Sequence, residues 1–243
     1  MHRFIIVALA VLAVASCDRF PHNGLQIGGM LPLTGEECAA DPSDDSRQTG
    51  GLWDVATPFG TLPRAAVYVV SPLLESYIIS RATDIQAEQN NLQVTNLEIT
   101  LQTPDGANLV LSEALPNPYR VAASANLPAA VDDSFTSAAA ITVAIPELYR
   151  QAVADAVFGA GFNQVIVVIK AIGTTMGGFT QNSAPFFWPV TLCVGCFDLC
   201  PTQAAADALS EPERTALAAA CVPGQDGPYC QFEIPDPDAM ATP

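Results

Sequence analysis

The densest run of residues able to do chemistry is Cys193-Val194-Gly195-Cys196-Phe197-Asp198-Leu199-Cys200. A C-x-x-C pair suits three chemistries. It can exchange disulfides with a partner, it can offer thiolates to zinc, or it can close a structural bridge. Redox motifs of the thioredoxin type expect a tryptophan-led motif, a βαβ setting and a helix N-terminus that lowers one thiol pKa, whereas Cys193 ends a β-like run. Zinc sites often draw on histidine, and the chain holds only His2 and His22. The same scarcity argues against Ser-His-Asp and Cys-His hydrolases, which need a base inside the folded domain.

Other candidates carry weaker signals. Asp44-Asp45 and Asp132-Asp133 are paired carboxylates that could do acid/base work or offer hard oxygen ligands to calcium. Neither follows the spaced D-x-D-x-D-G calcium loop, so both read as solvated loop acids. Gly173-Thr174-Thr175-Met176-Gly177-Gly178 lacks the lysine of a phosphate-binding loop and reads as a hairpin connection. Phe186, Phe187 and Trp188 could line a sugar- or protein-binding surface. On a strand they alternate faces, so at least one belongs to the core. No catalytic constellation, cofactor motif or metal site emerges. The reading is therefore of a protein that is not an enzyme.

The charge balance excludes one large class of partner. With 9 Lys and Arg against 25 Asp and Glu, the chain is formally −16 at neutral pH. Such a surface is repelled by phosphate backbones and by anionic headgroups, so nucleic acid is not expected as a partner.

The first residues define the compartment. Met1, His2 and Arg3 form a short basic start, followed by an apolar run from Phe4 to Ala15. As a helix, Phe4 to Ser16 would be about 20 Å long, against about 30 Å for a bilayer core, which fits a signal-peptide h-region better than a spanning helix. The run ends in Val14-Ala15-Ser16-Cys17, which resembles the lipobox of bacterial lipoproteins. The resemblance implies cleavage before Cys17, a diacylglyceryl thioether on its sulfur and an acyl chain such as palmitate on the new amino group. Two or three chains, at about 0.8 kcal/mol per buried methylene, make a lasting anchor. Asp18 resembles the inner-membrane retention signal of enteric lipoproteins, a rule that varies among lineages and leaves inner and outer membrane both open. The strand-rich body with its cysteine-rich end is similar to envelope lipoproteins of large-genome Gram-negative bacteria, a likeness that implies no activity.

Cysteine parity points the same way. The chain has seven cysteines, and assigning Cys17 to lipid leaves six: Cys38, Cys193, Cys196, Cys200, Cys221 and Cys230. Export to an oxidising compartment favours three disulfides, with fifteen possible pairings.

The elements that must position these residues follow from patterning. Residues 1–16 form the signal peptide. Residues 17–51, rich in Gly, Pro, Asp and Ser, read as the lipidated N-terminus and a tether that Cys38 pins back onto the domain. Residues 52–193 carry the strand signals. Ala65 to Val70 is a β-favouring run, and Leu97, Ile99 and Leu101 share one face by strict alternation. Pro104-Asp105-Gly106 then predicts a short-loop hairpin into Asn108 to Leu111. Ala140 to Ile145 alternates again, and Gln164 to Ile172 is apolar enough for a central strand. Phe186 to Leu192 is a last strand, where Pro189 predicts an edge or a bulge. One helix is inserted from Pro146 to Phe158, stopped by Gly159 and Gly161. Residues 194–243 form a cysteine-rich, partly helical extension in which Ser210-Glu211-Pro212-Glu213 has capping-box form. The expected fold is mainly β: an antiparallel, Ig-like β-sandwich with one inserted helix and a disulfide-rich C-terminal segment.

The functional expectation is an exported, lipid-anchored envelope protein, at the periplasmic face or the cell surface. It would act by binding an envelope protein or, second, a glycan. The competing expectations are a carboxylate-dependent enzyme acting on envelope polysaccharide and a calcium-dependent adhesion module.

Overall fold

The structure is a computed structural model and describes residues 24–34, 37–56, 67–80, 90–131, 134–200, 204–205, 208–219, 221–222, 225 and 229–230. Its strands are β1 (Leu25–Met30), β2 (Gly51–Asp54), β3 (Tyr68–Val70), β4 (Pro72–Ser76), β5 (Ile79–Ser80), β6 (Leu92–Gln102), β7 (Tyr119–Leu127), β8 (Ala130–Val131), β9 (Thr136–Ala139) and β10 (Thr142–Ile145). After the helix α1 (Glu147–Gly159) come β11 (Gln164–Thr175), β12 (Thr180–Asn182), β13 (Phe186–Cys193) and β14 (Asp198–Cys200), then the helix α2 (Glu211–Ala219) and β15 (Tyr229–Cys230). Among the described residues the protein is mainly β, with two named helices and disulfides, as the patterning predicted at that level.

The main sheet runs in the order β2-β13-β11-β6-β7, with β12 added beside β11. A three-stranded sheet β1-β4-β9 and a two-stranded sheet β10-β3 complete the larger assemblies. Alternation sets the inner face of the main sheet: Leu97, Ile99 and Leu101 on β6, Val165, Val167 and Ile169 on β11, and Trp188, Val190 and Leu192 on β13 are all buried. They share one core with Leu25 and Met30 of β1, Leu74 of β4, Tyr68 of β3, Ile145 of β10, and Tyr149, Val153 and Val157 of α1. One hydrophobic body therefore closes over residues drawn from Leu25 to Leu192. Continuous apolar sequence made β11 legible as a central strand, and it lies between β13 and β6.

Three expectations are corrected, and the one for Pro189 is met. The stretch read as tether contains β1, which pairs with β4 and buries Leu25 and Met30 at 0% and 1% exposure. Gly28-Gly29 hid that strand among turn-forming residues. The predicted short hairpin forms only at its turn. The Thr103 N–H donates to the Ala107 carbonyl at 2.8 Å, the Leu109 N–H donates to the Leu101 carbonyl at 2.9 Å, and Asn108 bridges Gln102. No full strand follows, and the body of β6 pairs instead with β7. The intervening loop is held by Asn117. Its amide donates to the carbonyls of Leu101 and Leu109, and its oxygen accepts the Leu101 N–H at 2.8 Å. Pro189 stands where a local edge was predicted, although β13 as a whole is an inner strand. The four-residue β2 begins pairing only at Val190, so the flank beside Pro189 stays free of strand pairing. Finally, the main sheet is not wholly antiparallel, because β2 runs parallel to β13.

The helices follow their sequence signals. Pro146 precedes α1, and Phe162 donates back to the Val157 carbonyl at 3.1 Å to close its C-terminal end. At α2, Glu213 accepts from the Ser210 N–H at 2.7 Å and from its hydroxyl at 2.6 Å. These bonds to Ser210 hold the Glu213 carboxyl below its usual range. The serine hydroxyl thus donates to the carboxylate, a variation on the capping box, in which it accepts a backbone N–H. The C-terminal segment is tied to the body twice. Cys38 is bonded to Cys221, and the Gln225 side chain pairs with both backbone groups of Val69, accepting and donating at 2.7 Å.

Candidate functional site

Two places on the molecule combine exposure with chemistry. The first is a corner where β2 and β13 end side by side. Their parallel register sets Asp54 opposite Cys193, and the Val55 N–H donates to the Cys193 carbonyl at 2.8 Å. Beyond Cys193 the chain turns through Gly195, whose φ of +71° is a conformation that glycine adopts without strain. The turn folds over the Asp54 carboxylate. One oxygen accepts from Gly195 N–H at 2.8 Å and Ala56 N–H at 3.0 Å, and the other accepts from Phe197 N–H at 3.0 Å. Asp54 is only 4% exposed, and these three donors compensate the burial of its charge. Cys193 and Cys196 are joined as a disulfide across this turn. Their sulfurs and an Asp54 oxygen all lie within 4.8 Å of one another.

The sequence located the cysteines but missed Asp54. A solitary aspartate 139 positions earlier carries no motif, and only the β2–β13 register brings it to the corner.

The second place is the outer face of the main sheet. Alternation sends Phe186 and Trp188 inward and Phe187 outward, as the three-aromatic run predicted. Trp188 is 2% exposed and donates its indole N–H to the Tyr68 hydroxyl at 2.9 Å, whereas Phe187 is 59% exposed. Burial of Tyr68 pushes its hydroxyl pKa up to about 12. Register places Phe187 opposite Val168, which is buried at 6% exposure, and Pro189 opposite Ile166, both half-buried, so the outward side of this apolar row is exposed chiefly at Phe187. One step along β11, Lys170 stands opposite Glu98 and reaches its carboxylate at 3.7 Å, and Arg120 approaches the same carboxylate at 3.7 Å. A centre of apolar side chains is thus bordered by a charged row.

The remaining candidates separate. Of the Gly173 to Gly178 run, Gly173, Thr174 and Thr175 end β11, and Met176 to Phe179 make the β11–β12 hairpin connection, with the Gly178 N–H donating to the Thr175 carbonyl at 2.8 Å. It carries Met176 and Phe179 outward, at 70% and 72% exposure. Asp44 lies in an exposed loop and accepts from Ser46 N–H at 2.7 Å, while nearby Asp41 accepts from the Ser43 hydroxyl at 2.7 Å and from Ser43 N–H at 2.8 Å. Those bonds lower both carboxyl pKa values, so these oxygens already serve their own loop. Asp132-Asp133, Cys17 and His22 lie outside the described residues, as does the signal peptide. Cys200 and Cys230 are paired register positions of the parallel β14–β15 ladder.

Enclosed space is small. A cavity of about 20 Å³ lies between Met30, Tyr68, Val70, Trp188 and Gln225, room for about one water molecule. A wide, open concavity of about 680 Å³ follows the 108–117 loop, where Val110 is 90% exposed. No protein-family model matches the chain, and no curated protein matches it.

Proposed function

We propose that this chain is an exported lipoprotein, anchored through Cys17, whose body is a mostly antiparallel β-sandwich acting as a binding module for another protein of the cell envelope. In this reading the main sheet is one layer, and the β1-β4-β9 and β10-β3 sheets with α1 form the other. The observation that carries the binding reading is Phe187, more than half exposed in an apolar row beside the Glu98, Lys170 and Arg120 charges. Protein interfaces have this anatomy: an aromatic centre whose burial supplies most of the energy, and a polar rim that sets register. A glycan is the weaker fit. Sugar platforms pair a flat aromatic with nearby hydrogen-bond donors, whereas Phe187 is flanked by Val168, Ile166 and Pro189.

The test compares wild-type protein with Phe187→Ala after mild crosslinking in its own membranes. An exposed phenylalanine contributes little to folding, so thermal stability should change little, while loss of a central aromatic should weaken the complex by about 2 kcal/mol or more, roughly thirtyfold. The same crosslinked protein with both chains would refute the reading. Capture of polysaccharide instead of protein would replace it with the glycan alternative.

A further inference from the structure

We propose that Cys193–Cys196 is an exchangeable disulfide, a two-electron site that a dithiol reduces and a disulfide restores, with Asp54 as the residue that positions it. The two bridges seen in the structure are unlike each other. Cys38–Cys221 spans 183 residues and restricts the unfolded chain heavily, while Cys193–Cys196 spans 3 and restricts it little. The short bridge is also redundant for holding its own turn. Asp54 accepts the N–H groups of Gly195 and Phe197, and the β2–β13 ladder fixes Cys193, so the sulfurs remain neighbours when the bond between them opens. Access is asymmetric, with Cys196 exposed and Cys193 half-buried.

The chemistry follows from that asymmetry. A thiolate of the incoming dithiol attacks Cys196 Sγ. The Cys193–Cys196 bond breaks, and its electron pair leaves on Cys193 Sγ, which takes a proton from solvent. The second thiolate of the dithiol then attacks its own sulfur in the mixed disulfide. Cys196 departs and is protonated, and the co-reactant keeps the new disulfide. Two electrons and two protons have passed to the chain. The turn after Cys196 leads into β14 rather than a helix, so no helix N-terminus activates a thiolate here, and exchange depends on exposure and on the held geometry.

The full chain in its oxidised form is titrated with dithiothreitol at increasing reduced-to-oxidised ratio. Differential alkylation and mass spectrometry read each cysteine, and circular dichroism reads the fold. The expected result is half-reduction of Cys193–Cys196 at a ratio at least tenfold lower than for Cys38–Cys221, with the β spectrum unchanged and full recovery in oxidised dithiothreitol. Reduction of both bridges together, or loss of the spectrum along with the short bridge, would overturn the proposal. Asp54→Ala should lower the equilibrium constant for closing the pair about tenfold, and Asp54→Asn, which keeps an acceptor for Gly195, should recover most of it. A closing constant unchanged in Asp54→Ala removes the positioning role. Zinc retained by the reduced chain in a native mass spectrum, with re-oxidation blocked, would overturn exchange in favour of a metal centre built from the same three side chains.

Discussion

At the scale of single residues, the chain depends on a few side chains whose partners lie far away in sequence. Gly51 shows this most plainly. A Cβ at that position would overlap the Tyr68 hydroxyl and come within 3.3 Å of Trp188 Nε1, the donor to that hydroxyl. The ring of Tyr68 is held in turn by Trp53, with centroids 5.8 Å apart. Gly51→Ala should therefore displace Tyr68 or break its bond to Trp188, costing about 1–3 kcal/mol as an overpacked core does. Urea denaturation would measure the loss, and a midpoint equal to wild type would show that β2 shifts freely. None of this was legible in sequence, where Gly50-Gly51 looked like the end of a tether. Asp54 and Asn117 were missed for the same reason, since each works through hydrogen bonds to backbone groups, which leave no mark on residue type. What could be read was alternation. Phe186, Phe187 and Trp188 had to divide between two faces, and they do.

Elements were legible in proportion to their apolar contrast. β6 and β11 are long and rich in branched residues, and both were found. β7 was missed because Ala122, Ala123 and Ala125 blur its alternation, although Ala123 and Ala125 are buried. The turn at Pro104-Asp105-Gly106 was legible because it is a good local signal, while the selection of β7 as the main partner for β6 is tertiary. Cysteine pairing belongs to this scale as well. Six cysteines left fifteen pairings open, and two bonds, Cys38–Cys221 and Cys193–Cys196, leave Cys200 and Cys230 as the remaining pair. The parallel β14–β15 register sets these two residues opposite each other. Peptide mapping without reduction should thus recover a Cys200–Cys230 crosslink, and a crosslink from either residue to any other cysteine would contradict the ladder. Removing the long bridge with Cys38→Ser should be more damaging than removing the short one, by a cost of roughly 2–4 kcal/mol.

The whole molecule constrains the proposed anchor in a way the sequence reading did not foresee. With β1 in the core, the folded body extends back at least to Leu25 rather than only to about Gly51. Leu25 lies eight positions after Cys17, and eight extended steps reach at most about 29 Å. A lipid on Cys17 would thus hold the body close to the bilayer, where loss of Arg3 with the signal leaves eight basic residues against 25 acidic ones. Close tethering and surface repulsion oppose each other: the anchor restrains the distance while anionic headgroups push the domain outward. The mature protein extracted from its own membrane should weigh residues 17–243 plus two or three acyl chains and glycerol, less six hydrogens for three disulfides. Inserting ten Gly/Ser residues after Asp18 should leave that anchoring intact and move the body farther from the surface, readable as weaker quenching of Trp53 and Trp188 by bromine-labelled lipid. A mass without lipid would remove the anchor and with it the geometric constraint. A lipidated mass with quenching unaffected by the insertion would mean that the body adheres to the membrane by its own surface, against the repulsion its charge predicts.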